Sequence, residues 1–290
     1  MDQRIIELYD SFTHGVIDRR SFMDRLATIA GSSAAAVAIL PMLQNNYALA
    51  AIIPDDDARL AIDTVSYDAA GTKISGYLAR PKAKGKRPAV IVIHENRGLN
   101  PHIKDVARRV ALEGYLAFAV DALSPQGGTP GDEDKAREMF GTLKLDDSAR
   151  QIAAAVPFLA KHEESTGSVG AMGFCWGGGM VNRIAALAPD LKAGVAYYGA
   201  QGAAATVSSV QAPLLLQYAG LDARINAGIP AYEEALKAAG KRYTIHIYPD
   251  VNHAFNNDTA GDRYNKAAAD LAWSRTIAFF KENIGAPPKA

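Results

Sequence analysis

The sequence predicts an α/β protein in which a mostly parallel sheet is covered on both faces by helices. Two observations carry this. From about Ala51 onward, apolar runs of strand length alternate with stretches of helical period, and such apolar runs mark strands buried on both faces. At 290 residues, 49% of them hydrophobic, the chain is also long enough to bury one full core.

The elements follow in order. IDTVSYD and TKISGYLARP, split by the turn residues AAG, predict an antiparallel hairpin. PAVIVIHE reads as a buried strand, IKDVARRVALEG as a helix ended by Gly114, and YLAFAVD as the next strand. After the Gly/Pro loop SPQGGTPGDED, a long helical stretch runs from Lys135 to Lys161, interrupted or kinked near Pro157. SVGAMGF, AGVAYYG and PLLLQYAG are three more buried strands, with helices starting near Gly178 and near Gly228. YTIHIYPD closes the sheet, and YNKAAADLAWSRTIAFFKENI is a last amphipathic helix. This order is that of an α/β-hydrolase, with one domain over residues 51–290.

Bulk charge narrows the function classes. Lys plus Arg is 31 and Asp plus Glu is 31, so no net field draws in nucleic acid or anionic lipid. The run from Leu26 to Leu43 is diluted by Thr28, Gly31, Ser32, Ser33 and Pro41, which argues against a membrane span. A single cysteine excludes an intrachain disulfide and a Cys-rich zinc site.

That cysteine, Cys175, stands where SVGAMGF runs into CWGGGMVNRIAAL, on a turn between a buried strand and a helix. A turn this sharp needs Gly173, Gly177 and Gly178, because a Cβ there would collide with the adjoining elements. Gly-x-Cys-x-Gly is thus a nucleophile elbow with sulfur in place of the serine hydroxyl. The helix N-terminus beneath it favours thiolate, and the Trp176 N–H is free for a developing oxyanion. Most lone cysteines are inert core residues, so the partners matter. The fold presents nucleophile, acid and histidine in that order at strand ends. Asp222 follows PLLLQYAG and His253 follows YTIHIYPDVN. Rivals for the histidine are weaker: His246 lies inside a strand, His162 near a helix end, His94 still in its strand, His102 nearby, and His14 in the N-terminal arm. No pair has His-x-x-x-His spacing, so neither a metal nor any other cofactor is expected.

HENRGLN, GFCWGG, AGLD and NHAF, in that order, resemble the dienelactone hydrolase family, the carboxymethylenebutenolidases, over roughly Val65 to Phe280. The resemblance implies that Cys175 attacks a lactone or ester carbonyl, that His253 is the general acid/base and that Asp222 orients it. It implies an oxyanion hole from the backbone N–H groups of Asn96 and Trp176. Glu95 matches the family's glutamate that contacts the resting thiol; the plainer reading is a loop carboxylate paired with Arg97. Of the two arginines that bind the substrate carboxylate in family members, one corresponds to Arg137. The other would fall near Asn257 and is absent here, with Arg263 a candidate substitute.

The first fifty residues lie outside the family's minimal domain. Arg19 and Arg20, Phe22, an Ala-rich run and the small-x-small end Ala48-Leu49-Ala50 resemble a twin-arginine export signal cleaved after Ala50, although Asp18 and Asp24 depart from that pattern. Cleavage there implies a periplasmic protein. The alternative is a retained helical arm of a cytoplasmic protein: IIELYDSF has amphipathic spacing, and the Ala-rich run could pack on another subunit of a homo-oligomer. The functional expectation is a hydrolase of a small ester or lactone acting through an acyl-thioester. Two other readings stand beside it: a hydrolase of another acyl class, and a non-catalytic, peroxide-sensing thiol protein.

Overall fold

The computed structural model describes residues 1–47 and 52–288. Three helices form an N-terminal arm: α1 (Gln3–Thr13), α2 (Arg19–Ala30) and α3 (Ser33–Leu43). An eight-stranded sheet follows: β1 (Leu60–Ala69), β2 (Thr72–Pro81), β3 (Arg87–Ile93), β4 (Leu116–Val120), β5 (Ser165–Phe174), β6 (Ala193–Tyr197), β7 (Leu214–Ala219) and β8 (Tyr243–Tyr248). The helices between the strands are α4 (Pro101–Leu112), α5 (Glu133–Gly141), α6 (Leu145–Ala153), α7 (Ala155–Ala160), α8 (Trp176–Leu187), α9 (Ala223–Asn226) and α10 (Ile229–Ala238), with α11 (Lys266–Asn283) last.

The strand order is β1-β2-β4-β3-β5-β6-β7-β8. β1 and β2 form the antiparallel hairpin, β2 runs antiparallel to β4, and the remaining pairs are parallel. The turn at Ala70-Gly71 has positive φ at both residues, 53° and 87°, the geometry that a two-residue hairpin on twisted strands demands. Side chains of β3 alternate between two cores. Ala89, Ile91 and Ile93 belong to the core that includes α7 and α8, while Val90 and Val92 belong to the one that includes α4. Burial on both sides explains why these strands read as unbroken apolar runs.

The helical stretch expected from Lys135 to Lys161, interrupted or kinked near Pro157, is three helices. It is interrupted at residues 142–144 and again at Ala154, which ends α6 and starts α7. Pro157 has no N–H for the carbonyl four residues back, so the hydrogen-bond ladder ends before it.

The chain runs from β3 out to β4 and then returns past β3 to β5. A crevice opens at the carboxyl ends of strands where the order reverses, and ligands of open α/β sheets bind there. Cys175 follows β5 and Glu95 and Asn96 follow β3, so both flank that crevice.

The arm builds its own small core. Ile5, Leu8, Tyr9 and Phe12 recur at helical spacing on α1 and meet Phe22, Leu26, Ala36 and Leu43, with the Phe12 and Phe22 rings stacked at 4.7 Å. Asp18, out of place in an export signal, caps α2 by accepting from the Ser21 N–H at 2.7 Å. The arm also docks on the sheet domain: Gln3 donates to Asn252 at 2.7 Å, Asn46 to the Thr259 carbonyl at 2.8 Å, and Arg19 pairs with Asp134 at 2.8 Å. Among the described residues no single helix is long and apolar enough to cross a membrane; α2 and α3 pass by length and composition only as a pair bent by 109°. The cleavage position considered after Ala50 lies outside the described residues.

Candidate active site

Cys175 is the residue before α8 and has φ 54° and ψ −114°, a left-handed backbone that a non-glycine residue adopts only where its surroundings hold it there. Gly177 is what allows this: a Cβ at that position would strike the carbonyls of Ile93 and His94 at the end of β3. The helix is thereby drawn against the neighbouring strand. Tyr198 and Ala254 also carry positive φ, 37° and 67°, and both adjoin the same end of the sheet. Strained non-glycine residues gathered at one edge mark a site where position outweighs local comfort.

Asp222 and His253 meet as a buried pair, with Nδ1 2.5 Å from Oδ2. The other oxygen of Asp222 accepts the Ile225 N–H at 3.1 Å and caps α9, so the carboxylate is held at both ends. Burial raises its pKa, but the bond to His253 and that N–H outweigh burial and hold it below the ordinary carboxylate range. Nε2 of His253 is buried with no hydrogen-bond partner among the described residues, and an imidazole nitrogen of this residue lies within 4.8 Å of the Cys175 sulfur.

The group in contact with sulfur was discounted by the sequence reading. His14 follows α1, and its Nε2 lies 3.2 Å from Sγ. Its Nδ1 is 2.8 Å from the Asp10 carbonyl and 3.2 Å from the Asp10 carboxylate. The residue pair is 161 positions apart, and no motif joins an arm histidine to an elbow. The only sequence signal was the amphipathic spacing of α1, which ends at His14.

Burial opposes the charge on His14, but the Cys175 sulfur and the Asp10 carboxylate override it and hold the imidazole up to about 9 against an ordinary 6.5. A raised value means that this residue's contribution to arm docking is complete below pH 6.5 and is lost as pH rises through about 9. Subtilisin should therefore cut the exposed turn at Val16 several-fold faster at pH 10 than at pH 7, after normalising to an unfolded peptide. Equal normalised rates would show that His14 does not fasten the arm.

His14, Cys175 and His253 are the candidate metal-holding group among the described residues, with donor atoms within 4.8 Å of one another. Helical spacing alone did not reveal this cluster. Thiolate and imidazole are donors that zinc takes, but a tetrahedral ion has donor edges of about 3.5 Å, so the cluster would have to contract around it. The 3.2 Å contact it contains is a hydrogen bond, the geometry of proton transfer.

Glu95 does not take the place expected of it. Its oxygens accept from Asn257 at 2.8 Å and Tyr198 at 3.4 Å, while the sulfur's hydrogen-bond partner is His14. Nor does Glu95 pair with Arg97, which donates to Asn96. Asn257, near which the resemblance would put a second arginine, is thus a residue that holds the glutamate. Arg263 is turned to the arm, with its guanidinium on the Leu43 carbonyl, the Asn45 side chain and the Tyr9 ring.

Cys175, His14, His253, Asn96 and Trp176 all line one cavity of about 440 Å³. Phe140, Met180 and Ile225 add apolar wall, and Arg137, Arg183 and Arg224 add charge. Arg137 lies 4.3 Å over the Phe12 ring and donates to the Phe12 carbonyl at 3.4 Å. Trp176 stacks on His94 at 5.6 Å, and His94 is fully committed to the Glu95 carbonyl and the Ala122 N–H.

A sequence model of the dienelactone hydrolase family matches residues 74–284. The chain belongs to that family. A second model, described as YqhI-like, matches residues 1–31, which hold α1 and α2. A relative from Escherichia coli K12 named "Putative carboxymethylenebutenolidase" is 34% identical over 251 residues, spanning 81% of this chain and 92% of that one. A relative of the same name from Saccharolobus solfataricus is 32% identical, over 75% and 97% of the two chains. The crystal structure of a "Putative Dienelactone Hydrolase" from Klebsiella pneumoniae superposes with a TM-score of 0.69 at 30% identity, covering 77% of this chain and 99% of that one. The chain therefore has the α/β-hydrolase fold and belongs to a family of hydrolases.

Proposed function

We propose that the protein hydrolyses a small ester or lactone with Cys175 as nucleophile, His253 as acid/base and Asp222 orienting the imidazole. What supports this best is a convergence: a sulfur on a strained elbow lies within 4.8 Å of an imidazole that is itself held by a buried carboxylate, and both open on one cavity. The sulfur attacks the carbonyl carbon and the C=O electron pair moves to oxygen. Backbone N–H groups of Asn96 and Trp176 receive that charge; the latter lies in the first turn of α8, whose N–H groups have no partner within the helix. Collapse breaks the C–O bond, the leaving oxygen takes the proton that the thiol gave up, and an acyl-thioester remains. Water then attacks the thioester while its proton passes to His253, the acid leaves, and the proton returns to sulfur. A peroxide-sensing thiol has no use for the Asp222–His253 pair, which favours the hydrolase.

Rapid acid quench of the enzyme with p-nitrophenyl acetate tests the covalent step. One acetyl group is expected on the peptide containing Cys175. Steady turnover with no acyl adduct on that peptide would overturn the mechanism.

Of the three arginines in the cavity, Arg183 and Arg224 are paired with Asp146 and Asp10, while Arg137, 3.7 Å from Asp134, has a buried Nε without a partner among the described residues and suits an acyl group carrying a carboxylate. Arg137→Met should raise KM about tenfold more for a carboxylate-bearing ester than for its methyl-capped counterpart, the size of one charge-assisted contact. Equal changes would remove Arg137 from substrate recognition.

A further inference from the structure

The sulfur of Cys175 faces two imidazoles, and each has a carboxylate behind it. On one side Asp222 holds Nδ1 of His253. On the other, Nδ1 of His14 is hydrogen-bonded to the Asp10 carbonyl at 2.8 Å with the Asp10 carboxylate 3.2 Å away, and Arg224, at 3.4 Å, pairs with that carboxylate. The rings cross at 85° with centroids 4.8 Å apart. At Nε2 they differ: that of His14 is engaged by the sulfur, whereas that of His253 is buried without a partner among the described residues.

The arm is fastened at this point. Asn96, from the loop after β3, donates its side-chain N–H to the Thr13 carbonyl at 2.8 Å, which fixes the residue next to His14. The ionisable groups around this imidazole are Asp10 on its own helix, Cys175 at the elbow and His253 after β8, with Arg224 behind Asp10 and Glu95 lining the same small recess as the sulfur.

We propose that His14, positioned by Asp10, is a second catalytic imidazole: it holds the proton of the resting Cys175 thiol and delivers it to the leaving oxygen, so the N-terminal arm is a working part of the active site. This rests on Cys175 being the nucleophile and divides the proton work otherwise given to His253. In the resting enzyme the S–H bond breaks and an N–H bond forms at Nε2, leaving thiolate and imidazolium in contact. The thiolate adds to the carbonyl, the C–O bond to the leaving group breaks, and that oxygen takes the proton from His14. His253, with Nε2 unengaged among the described residues, is then the base for the water that cleaves the thioester. Its acquired proton returns to the sulfur–His14 pair and restores the start. Splitting the duties explains why two carboxylate-backed rings meet one thiol when a single ring suffices for acid and base in turn.

The test uses the full-length chain and the variants His14→Gln, Asp10→Asn, His253→Gln and Cys175→Ala. Glutamine at position 14 can still donate an N–H to sulfur but cannot carry the proton. Expected for His14→Gln are a fall of about tenfold in the rate of Cys175 alkylation by iodoacetamide at pH 6.5, with the pH profile moved upward. Acylation by an alkyl ester, whose alkoxide needs a proton, should slow about 100-fold, and acylation by p-nitrophenyl acetate, whose phenolate needs none, much less. Asp10→Asn, which keeps both rings, should shift the same readouts in the same direction by a smaller factor, and it carries the comparison if the position 14 variant does not fold. His253→Gln should retain a p-nitrophenol burst and then stall as acyl-enzyme. An unchanged alkylation profile together with unchanged alkyl-ester acylation in His14→Gln and Asp10→Asn overturns the proposal, as does faster turnover, which would make the arm a plug. Turnover surviving in Cys175→Ala would instead remove the nucleophile reading on which it stands.

Discussion

Cys175→Ala is expected to lower kcat/KM for ester hydrolysis by at least about 10⁴-fold while leaving the thermal melt close to that of the parent protein. The activity loss follows from chemistry: without sulfur there is no acyl-thioester, and only binding and the oxyanion N–H groups remain. The stability expectation follows from geometry. Alanine is, like cysteine, a non-glycine residue, and it meets the same positive φ of 54° at a similar cost, so the elbow gains no new strain. The deletion removes one sulfur, and the lost hydrogen bond to His14 releases a group that borders the cavity and can meet water. Residual activity near the parent level, with the melt unchanged, would exclude covalent catalysis at this position and direct attention to water activated by His253.

Gly173→Val carries the second large effect, and it acts on folding. A Cβ at Gly173 would strike the Gly177 carbonyl and approach the Gly178 nitrogen to 3.0 Å. These are backbone atoms in the first turn of α8, so no side chain can swing aside. Relief requires moving the helix off β5, which costs several kcal/mol, at least about 3, by the usual measure of overpacking. A fall in melting temperature of roughly 10 °C or failure to accumulate soluble protein is expected. A Gly173→Val protein that melts with the parent would show that the strand and helix are not pressed together as described.

These two positions lie on a motif that is local in the chain, and local motifs are what the sequence discloses best. Apolar runs placed the strands because a strand buried on both faces has no polar partner residue to interrupt it. Glycines around Cys175 placed the elbow because close backbone approach excludes Cβ. Asp222 and His253 were legible because each directly follows a strand end, and in a parallel sheet those ends share one edge. The helical stretch after Gly131 was less legible. Its break at Ala154 lies three residues before Pro157, whereas the break at residues 142–144 has no proline to mark it. Glu95 was recognised as a site residue by resemblance, yet its partners Asn257 and Tyr198 come from loops after other strands.

From sequence alone came the α/β layering, the sharp turn that presents a thiol, and the chain order of thiol, carboxylate and imidazole. All of these follow from periodicity, turn chemistry and the steric demands of neighbours along the chain. Only the tertiary structure decided that α1 lays His14 against the sulfur, that Asn257 rather than a cationic residue holds Glu95, and that Arg263 serves the arm. An amphipathic helix advertises an apolar face without naming the surface that covers it. Which polar residue at its end reaches a distant group is settled only when two separately built surfaces are pressed together.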